Sequence, residues 1–209
     1  MIDLITRSPL FSLSPIEILI NLVIGAAFVL IVASVIIDFS KYHKQKRGVE
    51  DSANSLVETG SMTIFFITYY LSIKMNLLHV SANKLIGFAA LIIGLILIVV
   101  GIVFNVYGRI VLKSNWANQI KIYKNHSLIT SGPYKIVRHP LYASLIWIFL
   151  GGSLVYMNLV SFLLNLFVFV PMMTIRARKE DELLSKKFGI EYNKYKVKTG
   201  MFFPKIGVK

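Results

Sequence analysis

Residues 85–112 have the sequence LIGFAALIIGLILIVVGIVFNVYGRIVL, an apolar run in which Arg109 is the single charged residue. About 20 apolar residues are enough for a helix to cross the hydrocarbon core of a bilayer. This run is longer, so we expect its helix to tilt or to extend beyond the bilayer. The stretch decides the fold class, because a helix of this composition needs lipid as its solvent.

Glycine recurs every seven residues along this run, at Gly87, Gly94, Gly101 and Gly108. The spacing places the four glycines on one stripe of the helix, where small residues allow a second helix to approach closely. The general tolerance of membrane helices for glycine accounts for the pattern equally well.

The composition agrees with a membrane protein of one domain. The chain has 209 residues, of which 56% are hydrophobic, and its mean hydropathy is +0.67, which is too apolar for an ordinary soluble fold. There is no cysteine. Disulfides, thiolate nucleophiles and cysteine-based metal sites are therefore excluded.

Four further apolar runs follow the same logic and lie at Ile16–Ile37, Leu56–Leu78, Leu141–Tyr156 and Leu159–Ile175. The last two are separated by little more than Met157 and Asn158, so we predict a tight helical hairpin. Each of these two runs is near the lower length limit for a transmembrane helix. We predict an all-α integral membrane bundle of about five transmembrane helices.

The chain after the last apolar run has the pattern of a cytoplasmic C-terminal helix. An amphipathic helix is expected from Arg176 to Lys187, with Gly189 ending it, and a short helix around Glu191 to Tyr195 follows. We divide the single domain into residues 1–112, with three transmembrane helices, and residues 113–209, with a polar loop, the hairpin and the C-terminal helix.

With five spans, most of the lysine and arginine residues lie in loops on one side of the membrane. Four lie in the loop after the first span, five in residues 113–140 and ten from Arg176 onward, whereas the other side has only Arg7, Lys74 and Lys84. The positive-inside rule then places the N-terminus outside and the polar loop and C-terminus in the cytoplasm. The formal charge of +13 follows mostly from topology, with membrane lipids as partners. No nucleic acid is needed to explain it.

A polar segment, His126-Ser-Leu-Ile-Thr-Ser-Gly-Pro-Tyr-Lys-Ile-Val-Arg-His-Pro-Leu-Tyr142, leads into the fourth apolar run. Pro140 suits the first turn of the next helix, whose free N–H groups favour an anion. Arg176 and Glu180 are four residues apart, so they share a helix face on the same membrane side. Interfacial anchors and a surface ion pair would explain each piece separately. Both clusters together indicate one ligand site.

The combined pattern of Gly-Pro-Tyr134, Arg138-His-Pro-Leu-Tyr142, Arg176 with Glu180, and Phe188-Gly-Ile-Glu-Tyr192 resembles the isoprenylcysteine carboxyl methyltransferase and phospholipid methyltransferase family. The resemblance extends from Asn115 to Pro204. It implies Arg176 and Glu180 as catalytic residues, with Arg176 on the substrate side. It also implies that S-adenosylmethionine is bound by Gln119, His126, Ser127, Leu128, Ile129, Tyr134, His139, Pro140, Leu141, Tyr142 and Glu180.

One residue departs from the family pattern. The family commonly has Glu-Glu where this chain has Glu180-Asp181, so a role is assigned to Glu180 and left open for Asp181. The expected reaction is methyl transfer to a lipid-like acceptor, which needs no metal. A carboxylate acceptor, such as that of a prenylated small molecule or peptide, is already ionised near neutral pH. A phospholipid amine is the alternative acceptor, and it requires a base.

Two other classes stay open at this point. Membrane sterol reductases, which use NADPH, also resemble this family in their C-terminal half. A non-catalytic lipid-binding protein would use the basic tail only to hold headgroups.

Overall fold

A computed structural model of the chain describes residues 49–52, 56–112, 121–123 and 127–205, together with helical positions between 18 and 33. Most of the expected first span, Ile16–Ile37, lies outside the described residues. The predicted all-helical class is confirmed for the described part, where a single short two-stranded ribbon is the exception.

The described helices, numbered in chain order, are α1 (Leu56–Lys74), α2 (Lys84–Leu112), α3 (Pro140–Val155), α4 (Leu159–Phe188) and α5 (Ile190–Lys198). Within the described residues, α2 and α4 are long and apolar enough to cross a membrane, and α3 is apolar but shorter. The apolar part of α4 ends at Ile175, and we treat the charged turns from Arg176 as lying outside the bilayer. The count of five spans and the division at residue 112 stay predictions.

Two strands, β1 (Val49–Ser52) and β2 (Lys121–Tyr123), form an antiparallel ribbon that the sequence analysis did not predict. The register pairs Val49 with Tyr123 and Ser52 with Lys121. The strands are about 70 residues apart in sequence, and each is short. A local pattern could not reveal this pairing, because strand formation depends on the partner more than on intrinsic preference.

Helix α1 ends at Lys74, four residues before the predicted boundary at Leu78. Asn76 and Leu78 have positive φ angles of 51° and 48°, a backbone conformation that a right-handed helix excludes. The amide of Asn158 donates hydrogen bonds to the carbonyl oxygens of Ser72, at 3.1 Å, and Leu77, at 2.8 Å. The turn after α1 is therefore held by Asn158, which lies in the turn between α3 and α4. The sequence of residues 75–78 is apolar enough to continue the helix.

The glycine stripe of α2 packs directly on α3. A Cβ atom at Gly94 would lie 2.6 Å from the carbonyl oxygen of Gly151, and one at Gly101 would lie 2.9 Å from that of Ser144. Both distances are too short for a real methyl group. The interpretation of the stripe as a contact surface is confirmed. The contact brings α2 against α3, the helix whose N-cap is His139.

The hairpin of α3 and α4 turns at Tyr156, Met157 and Asn158, as predicted. Met157 has a φ angle of 48°, and the Oδ1 atom of Asn158 accepts a hydrogen bond of 2.8 Å from the N–H of Ser161. This contact caps the first turn of α4. A π-helical segment at Asn165–Phe169 interrupts α4. There the amide of Asn165 donates to the carbonyl of Ile146 at 3.1 Å.

Aromatic side chains fill the space between α1, α3 and α4. Phe65 stacks on Phe169 with ring centroids 4.4 Å apart and meets the edge of Phe149 at 5.1 Å. The Tyr69 hydroxyl donates to the Phe149 carbonyl at 2.6 Å. Aromatic pairs of this kind stabilise beyond the area that they bury. They hold α4 in a fixed position against α3, and so fix where its charged turns emerge.

Candidate active site

The polar segment leads into α3 through an irregular stretch, residues 127–130, and a tight turn. Gly132 has a φ angle of 57°, which favours glycine, and a short 3-10 helix follows at Gly132–Lys135. Pro140 occupies the first turn of α3, where its missing N–H costs nothing. His139 precedes it as the N-cap residue. Gly132, Pro133 and Pro140 thus set the direction in which His139 enters the site.

The C-terminal segment folds back onto this turn. The backbone N–H groups of Arg138 and His139 donate to the carbonyl oxygens of Gly200, at 2.8 Å, and Met201, at 3.2 Å. The Tyr195 hydroxyl donates to the carbonyl of Tyr134 at 2.6 Å. Helix α5 and the residues after it therefore form one wall of the site, next to the start of α3.

The imidazole of His139 lies between two carboxyl groups from α4. Its Nε2 atom is 2.7 Å from Oδ1 of Asp181, and its Nδ1 atom is 3.4 Å from Oε2 of Glu180. Its ring stacks on that of Tyr142, with centroids 5.6 Å apart and an interplanar angle of 12°. His139 is only 4% exposed, so both nitrogen atoms depend on these partners.

Two opposing effects set the ionisation of this pair. Burial lowers the pKa of His139, but the hydrogen bonds to Asp181 and Glu180 outweigh it and raise the pKa above its usual value. Burial also works against the charged form of Asp181. The hydrogen bond and charge of His139, together with Tyr192 and Arg138, nevertheless lower the pKa of Asp181. The imidazole and the carboxyl group of Asp181 therefore each favour the charged form of the other.

Asp181 connects α4 to both other parts of the site. Its Oδ2 atom lies 3.3 Å from Nη2 of Arg138 and 3.7 Å from Nζ of Lys196. Its Oδ1 atom also accepts a hydrogen bond from the Tyr192 hydroxyl. A carboxylate that is 3% exposed needs such partners, because an unpaired buried charge is strongly destabilising.

Tyr142 lies between the two residues that the sequence predicted as catalytic. The guanidinium carbon of Arg176 is 5.8 Å from the centroid of the Tyr142 ring. The Tyr142 hydroxyl interacts with the side chains of both Arg176 and Glu180. Arg176 is 8% exposed, whereas the side chain of Glu180 is 35% exposed. A cation and an accessible carboxylate thus flank one aromatic ring at the end of an apolar helix.

The structure brings together much of the predicted site. His139, Tyr142, Arg176 and Glu180 share the contacts given above, and Glu180 adds to burial in raising the pKa of Tyr134. The remaining described residues of the prediction lie in the irregular stretch or on the first turn of α3, namely Ser127, Leu128, Ile129, Pro140 and Leu141. Gln119 and His126 lie outside the described residues. The ligand-binding roles of all these residues stay predictions.

Sequence reasoning assigned no site role to three members of the cluster, Arg138, Tyr192 and Lys196, and left the role of Asp181 open. Tyr192 and Lys196 reach Asp181 only because α5 folds back toward the 3-10 turn. Asp181 itself was left without a role. Its one sequence signal was its position next to Glu180. A single acidic residue beside a predicted site does not reveal which residues it will contact.

Comparisons with known proteins point to one family. Residues 92–186 match the family model of the isoprenylcysteine carboxyl methyltransferase family. A protein-S-isoprenylcysteine O-methyltransferase of Saccharomyces cerevisiae is 34% identical over 80 residues, which are 38% of this chain and 34% of the yeast protein. The cobalt-zinc-cadmium resistance protein CzcN of Cupriavidus metallidurans is 37% identical over 86 residues, which are 41% and 39% of the two chains. The chain thus spans between a third and two fifths of these relatives.

A solved structure shares the fold. The eukaryotic intramembrane Ras methyltransferase ICMT superposes with a TM-score of 0.54 at 20% identity, covering 90% of this chain and 69% of that one. This likeness shows the fold, and the two long apolar helices α2 and α4 are long enough to cross a membrane.

Proposed function

We propose that this chain, whose residues 92–186 match the model of the isoprenylcysteine carboxyl methyltransferase family, is a membrane methyltransferase. In this proposal a methyl group passes from S-adenosylmethionine to the carboxylate of a prenylcysteine-like or other amphiphilic acceptor. The observation that carries the proposal is the position of Tyr142, which stacks on His139 while Arg176 and Glu180 flank it. Cationic, anionic and aromatic groups meet there at the end of an apolar helix.

The residues present suit S-adenosylmethionine chemically. A carboxylate such as Glu180 only accepts hydrogen bonds, so it would bind hydroxyl or amino groups of the cofactor. The aromatic faces of Tyr134 and Tyr142 favour a cationic group such as a sulfonium. When bound, the cofactor supplies an activated methyl group. The rest of the predicted set, from Gln119 and His126 to Leu141, would complete its pocket.

The chain's own part in the reaction is alignment. An acceptor carboxylate is ionised near neutral pH, so no residue has to remove a proton from it. Arg176 would orient this carboxylate, since a guanidinium matches both of its oxygen atoms. The packing of α3 and α4 around Tyr142 would exclude water from the reacting atoms. An apolar acceptor would enter from the bilayer and the cofactor from the cytoplasm.

A phospholipid amine is the less favoured acceptor. It would need a base at the site, and Asp181 is a poor candidate because its carboxylate is buried and bonded to His139, Arg138 and Tyr192. Glu180 would then be the base. The NADPH-dependent reductase and the non-catalytic alternatives have no support from the relatives named above.

Two measurements test the proposal. In the first, the purified protein in detergent is titrated with S-adenosylmethionine, and NADPH is tested as a competitor. We expect saturable binding that Glu180→Gln and His139→Ala weaken, while Glu182→Gln, an exposed neighbour on α4, serves as the matched control. Absence of saturable binding, or protection by NADPH in its place, would overturn the proposed cofactor.

In the second, a labelled methyl donor is offered with prenylcysteine analogues and phosphatidylethanolamine, and the products are treated with base. Methyl esters are cleaved and N-methyl groups survive. We expect label in a base-labile prenylcysteine product, and Arg176→Lys should reduce it, because an ammonium lacks the planar fork of a guanidinium. Base-stable label in the phospholipid would instead establish the N-methyl reaction.

A further inference from the structure

A groove of about 740 Å³ lies between α5 and the segment that follows it, next to Arg138. Three cationic residues, Arg138, Lys196 and Lys205, line it, together with the polar side chains of Asn193 and Thr199. Among the described residues that line it, none carries a carboxylate. The groove therefore presents donors and positive charge, which is the chemistry that recognises an anion.

Arg138 and Lys196 are only partly neutralised. Both make their ion pairs with the same carboxylate, that of Asp181, at 3.3 and 3.7 Å, and this carboxylate also serves His139. The Arg138 side chain is only 9% exposed. Its Nε atom is buried and has no hydrogen-bond partner among the described residues. The guanidinium also donates to the carbonyl oxygen of Thr199, so Arg138 is held in place and its positive charge contributes to the potential of the groove.

Exposed apolar residues and an apolar helix lie next to the groove. Phe203 packs on Trp147 with ring centroids 6.2 Å apart, and Trp147 is the eighth residue of α3. At 1.5 Å per residue, this places Phe203 about 10 Å along the helix from its start. The segment after α5 thus runs beside an apolar helix. Phe203 and the groove residue Val197 expose 63% and 60% of their surfaces, an arrangement typical of amphipathic anchors in the interface.

We propose that this groove binds the phosphate of an anionic phospholipid headgroup, with Lys196 and Lys205 as its main contacts. Arg138 would donate from the floor of the groove, and Val197 and Phe203 would face the apolar boundary. A free phosphate offers the same acceptor oxygens, but it gives no reason for the exposed apolar residues beside the cations. The groove shares Arg138 and Lys196 with the cluster around Asp181, but lipid binding there does not depend on the proposed reaction.

The test uses the full-length protein, delipidated in a neutral detergent, and measures bound lipid by native mass spectrometry. Phosphatidylglycerol and phosphatidylcholine with the same acyl chains are offered in equal amounts. We expect preferential retention of one phosphatidylglycerol. The double variant Lys196→Gln with Lys205→Gln should lose affinity for it by about fivefold per lysine, with phosphatidylcholine unchanged. The matched control, Lys84→Gln with Lys135→Gln, removes the same charge from exposed positions elsewhere and should retain the preference.

A second arm separates the lipid from a free anion. Inorganic phosphate is titrated into the lipid-free protein, and Phe203→Ser is compared with the wild type for both ligands. We expect Phe203→Ser to weaken phosphatidylglycerol binding and to leave phosphate unaffected. Equal retention of the two lipids, or a preference that survives in the double lysine variant, overturns the site. Phosphate binding through the two lysines without a lipid preference overturns the lipid as its occupant.

Discussion

The Nε2 atom of His139 lies 2.7 Å from the Oδ1 atom of Asp181, and through this contact the start of α3 is joined to the charged turns of α4. Glu180 contacts the other ring nitrogen at 3.4 Å. The imidazole therefore has an acid on each side, while Tyr142 stacks on its face. Any change in the charge of His139 acts on two neighbouring carboxyl groups at once.

This pair predicts a defined pH range of stabilisation. The pKa of His139 is raised above its ordinary value of 6.5, so its contribution is complete below pH 6.5 and is lost as the pH rises through the higher folded-state pKa. The pKa of Asp181 is lowered from 3.8, so its contribution is complete above that value and is lost on acidification through the lower folded-state pKa. We expect the stability difference between wild type and His139→Gln to be largest between these limits.

Thermal unfolding in detergent at a series of pH values measures this difference. The groups facing the pair are Glu180 on α4, Tyr142 on α3, Arg138 before α3, and Tyr192 and Lys196 on α5. A stability difference that stays constant from pH 5 to pH 9 would contradict a raised His139 pKa.

The contact between α2 and α3 predicts a strong effect of one methyl group. Gly94→Ala places a Cβ atom 2.6 Å from the Gly151 carbonyl and 2.8 Å from a Val155 methyl. Because the first of these is backbone, the helices must separate, and we expect a loss of about 1 to 3 kcal/mol in unfolding free energy. Gly25→Ala is the control, since a Cβ atom there meets nothing within 4 Å. Equal stability of the two variants would rule out close packing along the stripe.

The sequence could predict this part of the fold because it depends on local patterns. Apolar length and glycine spacing define α2, and Asn158 between two apolar runs defines the hairpin. The same reasoning extended α1 too far, because its end depends on the amide of Asn158 across the turn. The ribbon of β1 and β2 was missed for a similar reason, since its strands are distant in sequence.

The site divides in the same way. His139, Tyr142 and Glu180 were predictable, because they lie in short motifs on neighbouring helix ends. Asp181 was not, since its partners Tyr192 and Lys196 come from α5, and the direction in which α5 folds after Gly189 depends on a positive φ angle of 53°. A glycine predicts that a helix ends, but it does not predict where the next helix packs.

Asn158 provides a test of the hairpin. Its Oδ1 atom caps α4 through the N–H of Ser161, and its amide donates to the carbonyl oxygens of Ser72 and Leu77. We expect Asn158→Ala to lower the unfolding free energy by about 2 kcal/mol, which combines a lost cap with carbonyl groups left without donors. Asn158→Ser keeps a cap acceptor and should recover about 1 kcal/mol. Asn193→Ala, at an exposed position, is the control. If the serine variant were no more stable than the alanine variant, the cap would make no measurable contribution to the unfolding free energy.

Substitutions of Asp181 distinguish an effect on the ionisation of His139 from a loss of packing. Asp181→Asn keeps an oxygen that can accept from His139 but removes the charge that raises the pKa of the imidazole. The variant should therefore fold and bind S-adenosylmethionine at mildly acidic pH, where Glu180 still favours the protonated form of His139. Its affinity should fall at a lower pH than that of the wild type, because His139 loses its proton earlier.

The measurement is the apparent Kd for S-adenosylmethionine from pH 5.5 to 8.5, with ¹⁵N-histidine spectra to follow the His139 nitrogens in the absence of ligand. Glu182→Gln, the exposed neighbour, should match the wild type in both measurements. Asp181→Glu restores the charge with one more methylene and should return the His139 titration toward its wild-type position, even if packing weakens binding. A uniform loss of affinity at every pH in Asp181→Asn, with an unchanged His139 titration, would show that Asp181 acts only through the packing of α5. A shift of both curves to lower pH would instead establish that this carboxylate positions and charges the histidine of the site.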